Sequence, residues 1–217
     1  MAYPNSAHDY DRMRKLVISI ILDYEIKESD FPLDMDALCR RMSIDIVPYS
    51  AYSGEKLKIM LKRSKDGFFA PRIPGKNATI FFNDRYGEHL TPARIDHTKG
   101  HEMKHIVDGD KDDSEERLCD YFSKYLRCPI PLAEYMGIRS RSGLISKFGV
   151  SDEQAGYILE AMRRRRNRVG SSYYDYEELL IRSLLDYDPK IPKQSIINSH
   201  GECDGMFDEL LFEGLEI

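Results

Sequence analysis

The stretch "TKGHEMKHIVDGD", Thr98 to Asp110, contains two histidines four residues apart, with a glutamate directly after the first. Upstream of it, Thr91 has the residue type that favours an N-cap, and Pro92 the type that favours a first helical position. Gly109 is the residue type that ends a helix. The pattern therefore predicts a helix from Pro92 to about residue 107, with both histidines in its second half.

The spacing of this motif matches that of a metal site. On an α-helix, residues four apart are separated by about 40° of rotation and roughly 6 Å of rise. His101 and His105 are therefore predicted to present their imidazoles on one face, close enough to share one ion. Neutral imidazole suits Zn²⁺, which in catalytic sites takes three protein ligands and a water. Glu102, one position on, could accept a proton from that water, whose pKa zinc lowers to about 7.

The best candidate for a third metal ligand is Glu116, in the first turn of the next predicted helix. The short loop before it allows that helix to fold back beside the first. Asp120, one turn later, could accept a hydrogen bond from a histidine's outer N–H group. Glu115 competes with Glu116 for the ligand role, although it should point about 100° away from the side of Asp120.

With these residues in place, "HEMKH" followed by "EERLCDYFSKYLRCP" resembles the ImmA/IrrE-type metallo-endopeptidases, a zincin-like family. In that family an H-E-x-x-H helix is followed by a helix of the form E-x-x-A-[ND]-x-F-A-x-x-L-L-x-P. The residues that fall at these positions in register are Glu116, Cys119, Asp120, Phe122, Ser123, Leu126 and Pro129. Cys119 stands where the family usually has alanine, and Lys104 stands where it commonly has glycine.

The resemblance extends upstream. The segment "FPLDMDALCRRMSIDIVPYS" is similar to the family's entry helix and strand, and "SKDGFF…ATIFFND" to its central hairpin. Membership implies a cytoplasmic, zinc-dependent endopeptidase that cleaves repressors of the helix-turn-helix type, in mobile elements, phage or stress responses. A substrate could lie extended along an edge strand, for which Ala78 to Phe82 is the candidate. An oxyanion donor is also needed, and the sequence does not identify one, although Tyr157, Tyr173, Tyr174 and His200 have suitable side chains.

Composition fits this class and excludes others. The chain has 217 residues and a net charge of -5, which gives no support for general nucleic-acid binding. No apolar run approaches the roughly 20 residues that cross a bilayer, so no membrane association is expected. The four cysteines form no C-x-x-C pair, which favours reduced thiols in a cytoplasmic protein.

Helical patterns are followed by strand patterns and then by further helical patterns, an order that predicts an α+β domain ending near residue 130. We expect a zincin-like metallopeptidase domain over residues 1–130, with a small sheet packed on helices. Residues 131–217 are expected to form a mostly helical region containing a helix-turn-helix-like hairpin, followed by an acidic and apolar tail.

Several residues have an ordinary structural explanation beside a functional one. His97 lies a turn too early to join the same tetrahedral site, and is expected at the surface or behind a ligand. Cys119 and Cys128 are expected to be small buried hydrophobes. The pair His200 and Cys203 is a weak candidate for a second metal. The arginine run in "MRRRRNR" is expected to form a solvated helix end.

Three functions are compatible with these features. The first is a zinc endopeptidase with His101, His105 and Glu116 as metal ligands and Glu102 as the base. The alternative is a stoichiometric regulator or antitoxin-like partner whose zinc site is structural or vestigial. A DNA-associated regulator that uses residues 143–168 is a third, for which the sequence gives less support; the oligomeric state is open.

Overall fold

The structure, a computed structural model, describes residues 7–85, 90–109, 115–170 and 172–185. Within these ranges the fold is α+β and mostly helical, with a small three-stranded sheet. The strands are β1 (Ile44–Pro48), β2 (Gly67–Ala70) and β3 (Ala78–Phe82). The helices are α1 (Ala7–Asp23), α2 (Met35–Arg41), α3 (Gly54–Arg63), α4 (Pro92–Asp108), α5 (Glu116–Arg127), α6 (Ile130–Tyr135), α7 (Arg141–Phe148), α8 (Asp152–Val169) and α9 (Asp175–Leu184).

The chain divides into two compact units, which we call the sheet unit and the helical unit. The sheet unit is Leu33–Lys124, and the helical unit combines Met1–Pro32 with Tyr125–Ile217. This division differs from the domains predicted over residues 1–130 and 131–217. It assigns α1 to the C-terminal part of the chain, because the helix packs against α9.

The sheet is ordered β1-β3-β2, with β3 parallel to β1 and antiparallel to β2. The predicted hairpin of β2 and β3 is confirmed. The prediction that Ala78 to Phe82 forms an edge strand is wrong, because β3 is hydrogen-bonded on both sides. Its alternate residues Ala78, Ile80 and Phe82 are buried, as expected for a central strand.

Helix α4 packs against β2 and β3, and its ends agree with the prediction. The Thr91 hydroxyl accepts a hydrogen bond from the backbone N–H of Arg94 at 3.3 Å, which caps the start of the helix. Gly109 follows the helix with a φ of 70°, a left-handed conformation that glycine adopts without strain. Ser114, the predicted cap of the next helix, lies outside the described residues.

In the helical unit, the predicted hairpin is formed by α7 and α8, which pack against each other. Gly149 ends α7 with a φ of 63°, and the Ser151 hydroxyl caps α8 by accepting a hydrogen bond from the backbone N–H of Gln154. Among the described residues, no helix is long and apolar enough to span a membrane. The acidic tail, with His200 and Cys203, lies outside the described ranges.

Candidate metal centre

Helices α4 and α5 approach each other closely at Gly100. A Cβ atom on Gly100 would lie 2.5 Å from the Ser123 hydroxyl oxygen and 3.3 Å from the Ser123 Cα. The same hydroxyl donates a hydrogen bond to the backbone carbonyl of His97 at 2.8 Å. Glu116 and Asp120 precede Ser123 on α5 by about two turns and one turn. The close crossing therefore positions both carboxylates opposite the histidines of α4.

His101 lies between two carboxylates of α5. Its Nδ1 is 2.9 Å from Asp120 Oδ1, and its Nε2 is 3.0 Å from Glu116 Oε2. Asp120 Oδ1 also lies 3.1 Å from His97 Nε2, so His97 is a second partner of this carboxylate. A proton held on Nδ1 by Asp120 leaves Nε2 as the nitrogen that can bind a metal.

His105 completes the histidine pair. Its Nε2 lies 3.5 Å from Glu116 Oε1 and 3.3 Å from the Cys119 sulfur. Its ring stacks on Phe69 of β2, with ring centroids 5.2 Å apart and an angle of 10° between the planes. The structure thus brings together the three residues predicted as ligands. It also adds Cys119, which shares the α5 face of Glu116 at a spacing of three residues.

The two adjacent glutamates have different partners. Lys104 is fully buried, and its ammonium group forms an ion pair with Glu115 and lies 3.3 Å from Asp108 Oδ2. Glu116 contacts both His101 and His105. Of the two glutamates left open by the sequence, Glu116 is therefore the one placed at the histidine pair. Lys104 gives Glu115 a separate structural partner.

Glu102 is 9% exposed, and its carboxylate accepts a hydrogen bond from the backbone N–H of Phe69. Burial raises the pKa of Glu102 above its ordinary value, although His101 and His105 act in the opposite direction. A buried carboxylate with a raised pKa is suited to proton transfer near neutral pH. The sequence did not point to Phe69, because an apolar residue in a strand carries no local sign of contact with a distant helix.

The charges in this cluster strongly influence one another. Burial lowers the pKa of His101, but hydrogen bonds to Asp120 and Glu116 outweigh it and raise that pKa from 6.5 to about 10. Hydrogen bonds with His101 and His105 lower the pKa of Glu116 from 4.5 to about 2. Burial raises the pKa of Asp120, and hydrogen bonds from His101 and His97 lower it further than burial raises it. The cluster thus favours a positive charge between its carboxylates.

Two groups of donor atoms in the described residues could hold a metal ion. His101, His105 and Cys119 form one, and His97, His101 and Asp120 form the other. Within each group the donor atoms lie within 4.8 Å of one another. Both groups include His101, so this residue is the centre of the candidate site.

The sequence does not identify a donor for the oxyanion, and the residues with suitable side chains lie outside the sheet unit or outside the described residues. Tyr157, Tyr173 and Tyr174 belong to the helical unit, and His200 lies beyond the described part of the chain. Within the sheet unit, Tyr49 is buried and its hydroxyl donates to the backbone carbonyl of Ser64 at 3.1 Å. Burial raises the pKa of Tyr49 to about 12, so it stays protonated.

Comparisons of the chain with protein-family models, with curated proteins and with solved structures found no significant match. The resemblance to the ImmA/IrrE-type proteins therefore stays a prediction from the residues. The geometry around His101 and His105 is the observation from which function can be inferred.

Proposed function

We propose that the sheet unit is a zinc-dependent endopeptidase of the ImmA/IrrE type. The observation that supports this most directly is the convergence of His101, His105 and Glu116. Each histidine Nε2 lies 3.0 to 3.5 Å from an oxygen of the same carboxylate. Two imidazoles and one carboxylate are a donor set found in catalytic zinc sites of peptidases.

The chemistry of these donors fits zinc better than the common hard cations. Magnesium and calcium prefer sites made of oxygen donors, whereas imidazole nitrogen suits zinc. Asp120 orients His101 through its outer nitrogen, as outer partners of zinc-binding histidines do. Bound at this cluster, zinc supplies Lewis acidity toward a peptide carbonyl and lowers the pKa of water.

Glu102 is the residue that moves the proton. Its carboxylate accepts a proton from the attacking water and then gives that proton to the amine nitrogen of the leaving peptide. The hydrogen bond from the Phe69 backbone fixes the position of this carboxylate, and burial keeps its pKa raised.

The substrate peptide is proposed to extend along β2. This strand pairs with β3 on one side, and among the described residues no strand pairs with its other side. Phe69 joins β2 to the cluster, through its ring to His105 and through its N–H group to Glu102. Strand addition at β2 would bring a peptide past the catalytic carboxylate. The substrate implied by the family resemblance is a helix-turn-helix repressor.

The resemblance implies a peptidase that is often encoded beside its helix-turn-helix repressor. The test is therefore co-expression of the chain with a repressor from its own genomic neighbourhood, comparing the wild type with Glu102→Gln. We expect full-length repressor to be lost only with the wild type. Cleavage by the purified Glu102→Gln variant should fall at least about 100-fold, while about one zinc per chain is retained. Glu55→Gln, at an exposed position of α3, is the matched control. Unchanged cleavage by Glu102→Gln would exclude this glutamate as the base.

A further inference from the structure

We infer that Cys119 is a fourth protein ligand of the metal, bound as a thiolate. The inference rests on the proposed function for the presence of a metal at His101 and His105. It goes beyond that function because the resemblance assigns no role to this position. When the sulfur–metal bond forms, the thiol releases one proton to solvent.

The distances place sulfur among the ligands. The Cys119 sulfur is 3.3 Å from His105 Nε2, which is closer than the 3.5 Å between that nitrogen and Glu116 Oε1. Zn–N bonds of about 2.0 Å and Zn–S bonds of about 2.3 Å, at a tetrahedral angle, separate the two donor atoms by roughly 3.5 Å. The observed spacing is therefore close to that of two ligands of one ion.

The surrounding residues hold both groups in place. Phe69 stacks on the ring of His105, which fixes the direction of Nε2. Cys119 is fully buried and lies three residues after Glu116 on α5, so both side chains face α4. The sulfur is not isolated, because His101, His105 and Cys119 together form one of the two donor groups of this cluster.

A fourth protein ligand has a consequence for regulation. Catalytic zinc sites keep one position for water, whereas sites with four protein ligands are closed. With Cys119 bound, no ligand position is open for water, so the cleavage expected of the wild type requires the thiolate to leave the metal during turnover. The cysteine that replaces the family's usual alanine would then control when the centre is active.

The experiment is titration of the metal-free full chain with Co²⁺, followed by absorption spectroscopy. A thiolate ligand gives a sulfur-to-cobalt charge-transfer band in the near ultraviolet, besides the visible bands of the ion. We expect this band in the wild type and its loss in Cys119→Ala. The matched control is Cys39→Ala, which removes another fully buried thiol of the sheet unit and should keep the band.

Zinc affinity is the second measurement, by competition with a chelator. Loss of a residue that only hydrogen-bonds to a zinc ligand weakens zinc binding by at least about tenfold. Loss of Cys119, a direct ligand, should therefore weaken it at least as much. Cys119→Ser is the second variant, because serine keeps the size of the side chain and removes the sulfur. Circular dichroism would show whether each variant is folded.

The outcomes separate the two proposals. Visible cobalt bands without a charge-transfer band, or a band that survives in both Cys119 variants, would overturn ligation by Cys119 and leave the endopeptidase proposal intact. A wild-type chain that binds neither Co²⁺ nor Zn²⁺ would overturn both.

Discussion

His101 has a carboxylate on each side of its ring, and this arrangement determines how the metal-free cluster responds to pH. Asp120 faces Nδ1 and Glu116 faces Nε2. Both carboxylates stabilise the doubly protonated ring, which carries the positive charge in the absence of a metal. A bound cation would replace the proton on Nε2 and keep the charge of the cluster balanced.

The first prediction concerns the stability of the metal-free protein. The pKa of His101 is raised from 6.5 to about 10, so its contribution to stability is complete below pH 6.5 and is lost as the pH rises through 10. We therefore expect the difference in unfolding free energy between the wild type and His101→Ala to shrink over this range. Denaturant unfolding in a chelator, at a series of pH values, measures it. A difference that stays constant would contradict the raised pKa.

Glu116 determines how the stability of the metal-free protein depends on pH in the acidic range. Its pKa is lowered from 4.5 to about 2, so its contribution is present above pH 4.5 and is lost as the pH falls through 2. The two groups together stabilise the metal-free cluster most between pH 4.5 and 6.5. Zinc affinity should instead increase as the pH rises above this range, because the imidazoles bind zinc only when deprotonated.

The second prediction concerns Asp120. Asparagine at this position can still accept the hydrogen bond from His101 Nδ1, but it removes the negative charge that makes the ring a better ligand. We expect Asp120→Asn to weaken zinc binding by about 10- to 100-fold, measured by competition with a chelator. Asp152→Asn, at an exposed position beside Arg141, is the control. Equal affinities in the two variants would exclude the proposed role of Asp120.

At this scale the sequence predicted the contacts that depend on helical spacing. His101 and His105 share a face because they are four residues apart, and Glu116 and Asp120 share one for the same reason. The contact between Cys119 and His105 could not be predicted in this way, because the two residues lie on different helices. A buried cysteine is common without any ligand, and only the crossing of two helices reveals how near the sulfur comes to a ring nitrogen.

At the scale of elements, the crossing of α4 and α5 sets the distances within the cluster. There is no room for a side chain at position 100, because Ser123 of α5 lies directly against Gly100. The Ser123 hydroxyl donates a hydrogen bond to the His97 carbonyl across the same contact. The helices can come this close because one residue lacks a Cβ atom. A separation of the helices here would move Glu116 and Asp120 away from the histidines.

The third prediction tests this close contact. In Gly100→Ala the new methyl group would overlap Ser123, which should cost about 1–3 kcal/mol by overpacking, against a gain of about 1 kcal/mol in helix propensity. We expect weaker zinc binding without loss of the fold. The double variant Gly100→Ala with Ser123→Ala removes the hydroxyl and should recover part of the affinity. Titration of zinc into all three proteins would show this, and an unaffected single variant would contradict it.

The local elements were predictable, but the order of the strands was not. A few adjacent residues determine each local feature, namely the helix caps at Thr91 and Gly109 and the turn between β2 and β3. Strand order depends on contacts between segments distant in the sequence. The parallel pairing of β1 with β3 put Ala78 to Phe82 at the centre of the sheet, where the predicted peptide binding cannot occur.

At the scale of the whole molecule, the helical unit contains a buried ion cluster. Arg165 of α8 is 8% exposed and forms ion pairs with Glu134 of α6 and Glu177 of α9. Its guanidinium group also donates to the backbone carbonyl of Ser172 at 2.8 Å. The prediction that the arginine run is a solvated helix end is wrong for this residue, since one of four consecutive arginines necessarily faces inward.

The fourth prediction follows from this burial. Arg165→Ala removes the cation and leaves two buried carboxylates, which should cost about 3–5 kcal/mol in unfolding free energy. Arg163→Ala, which removes an exposed side chain paired with Glu160, should cost less than about 1 kcal/mol. Urea unfolding of both variants measures the contrast. Similar losses in the two variants would show that the buried cluster contributes little to stability.

The division of the chain was the least predictable feature at this scale. The apolar face of α1, with Met13, Val17 and Ile21 fully buried, was evident from the spacing of its residues. Such a face shows that a helix must pack against something, but it does not identify the partner. The packing of α1 against α9 joins segments separated by about 150 residues.

The ring of Phe69 stacked on His105 offers a direct optical reporter of the cluster. The chain contains no tryptophan, so an indole introduced by Phe69→Trp would be the molecule's single strong fluorophore. Because indole emission depends on the charge and polarity of neighbouring groups, its intensity would respond to changes at the stacked His105 ring. Arrival of a cation at that ring would change the same emission, and the kinetics of metal uptake could be followed in real time.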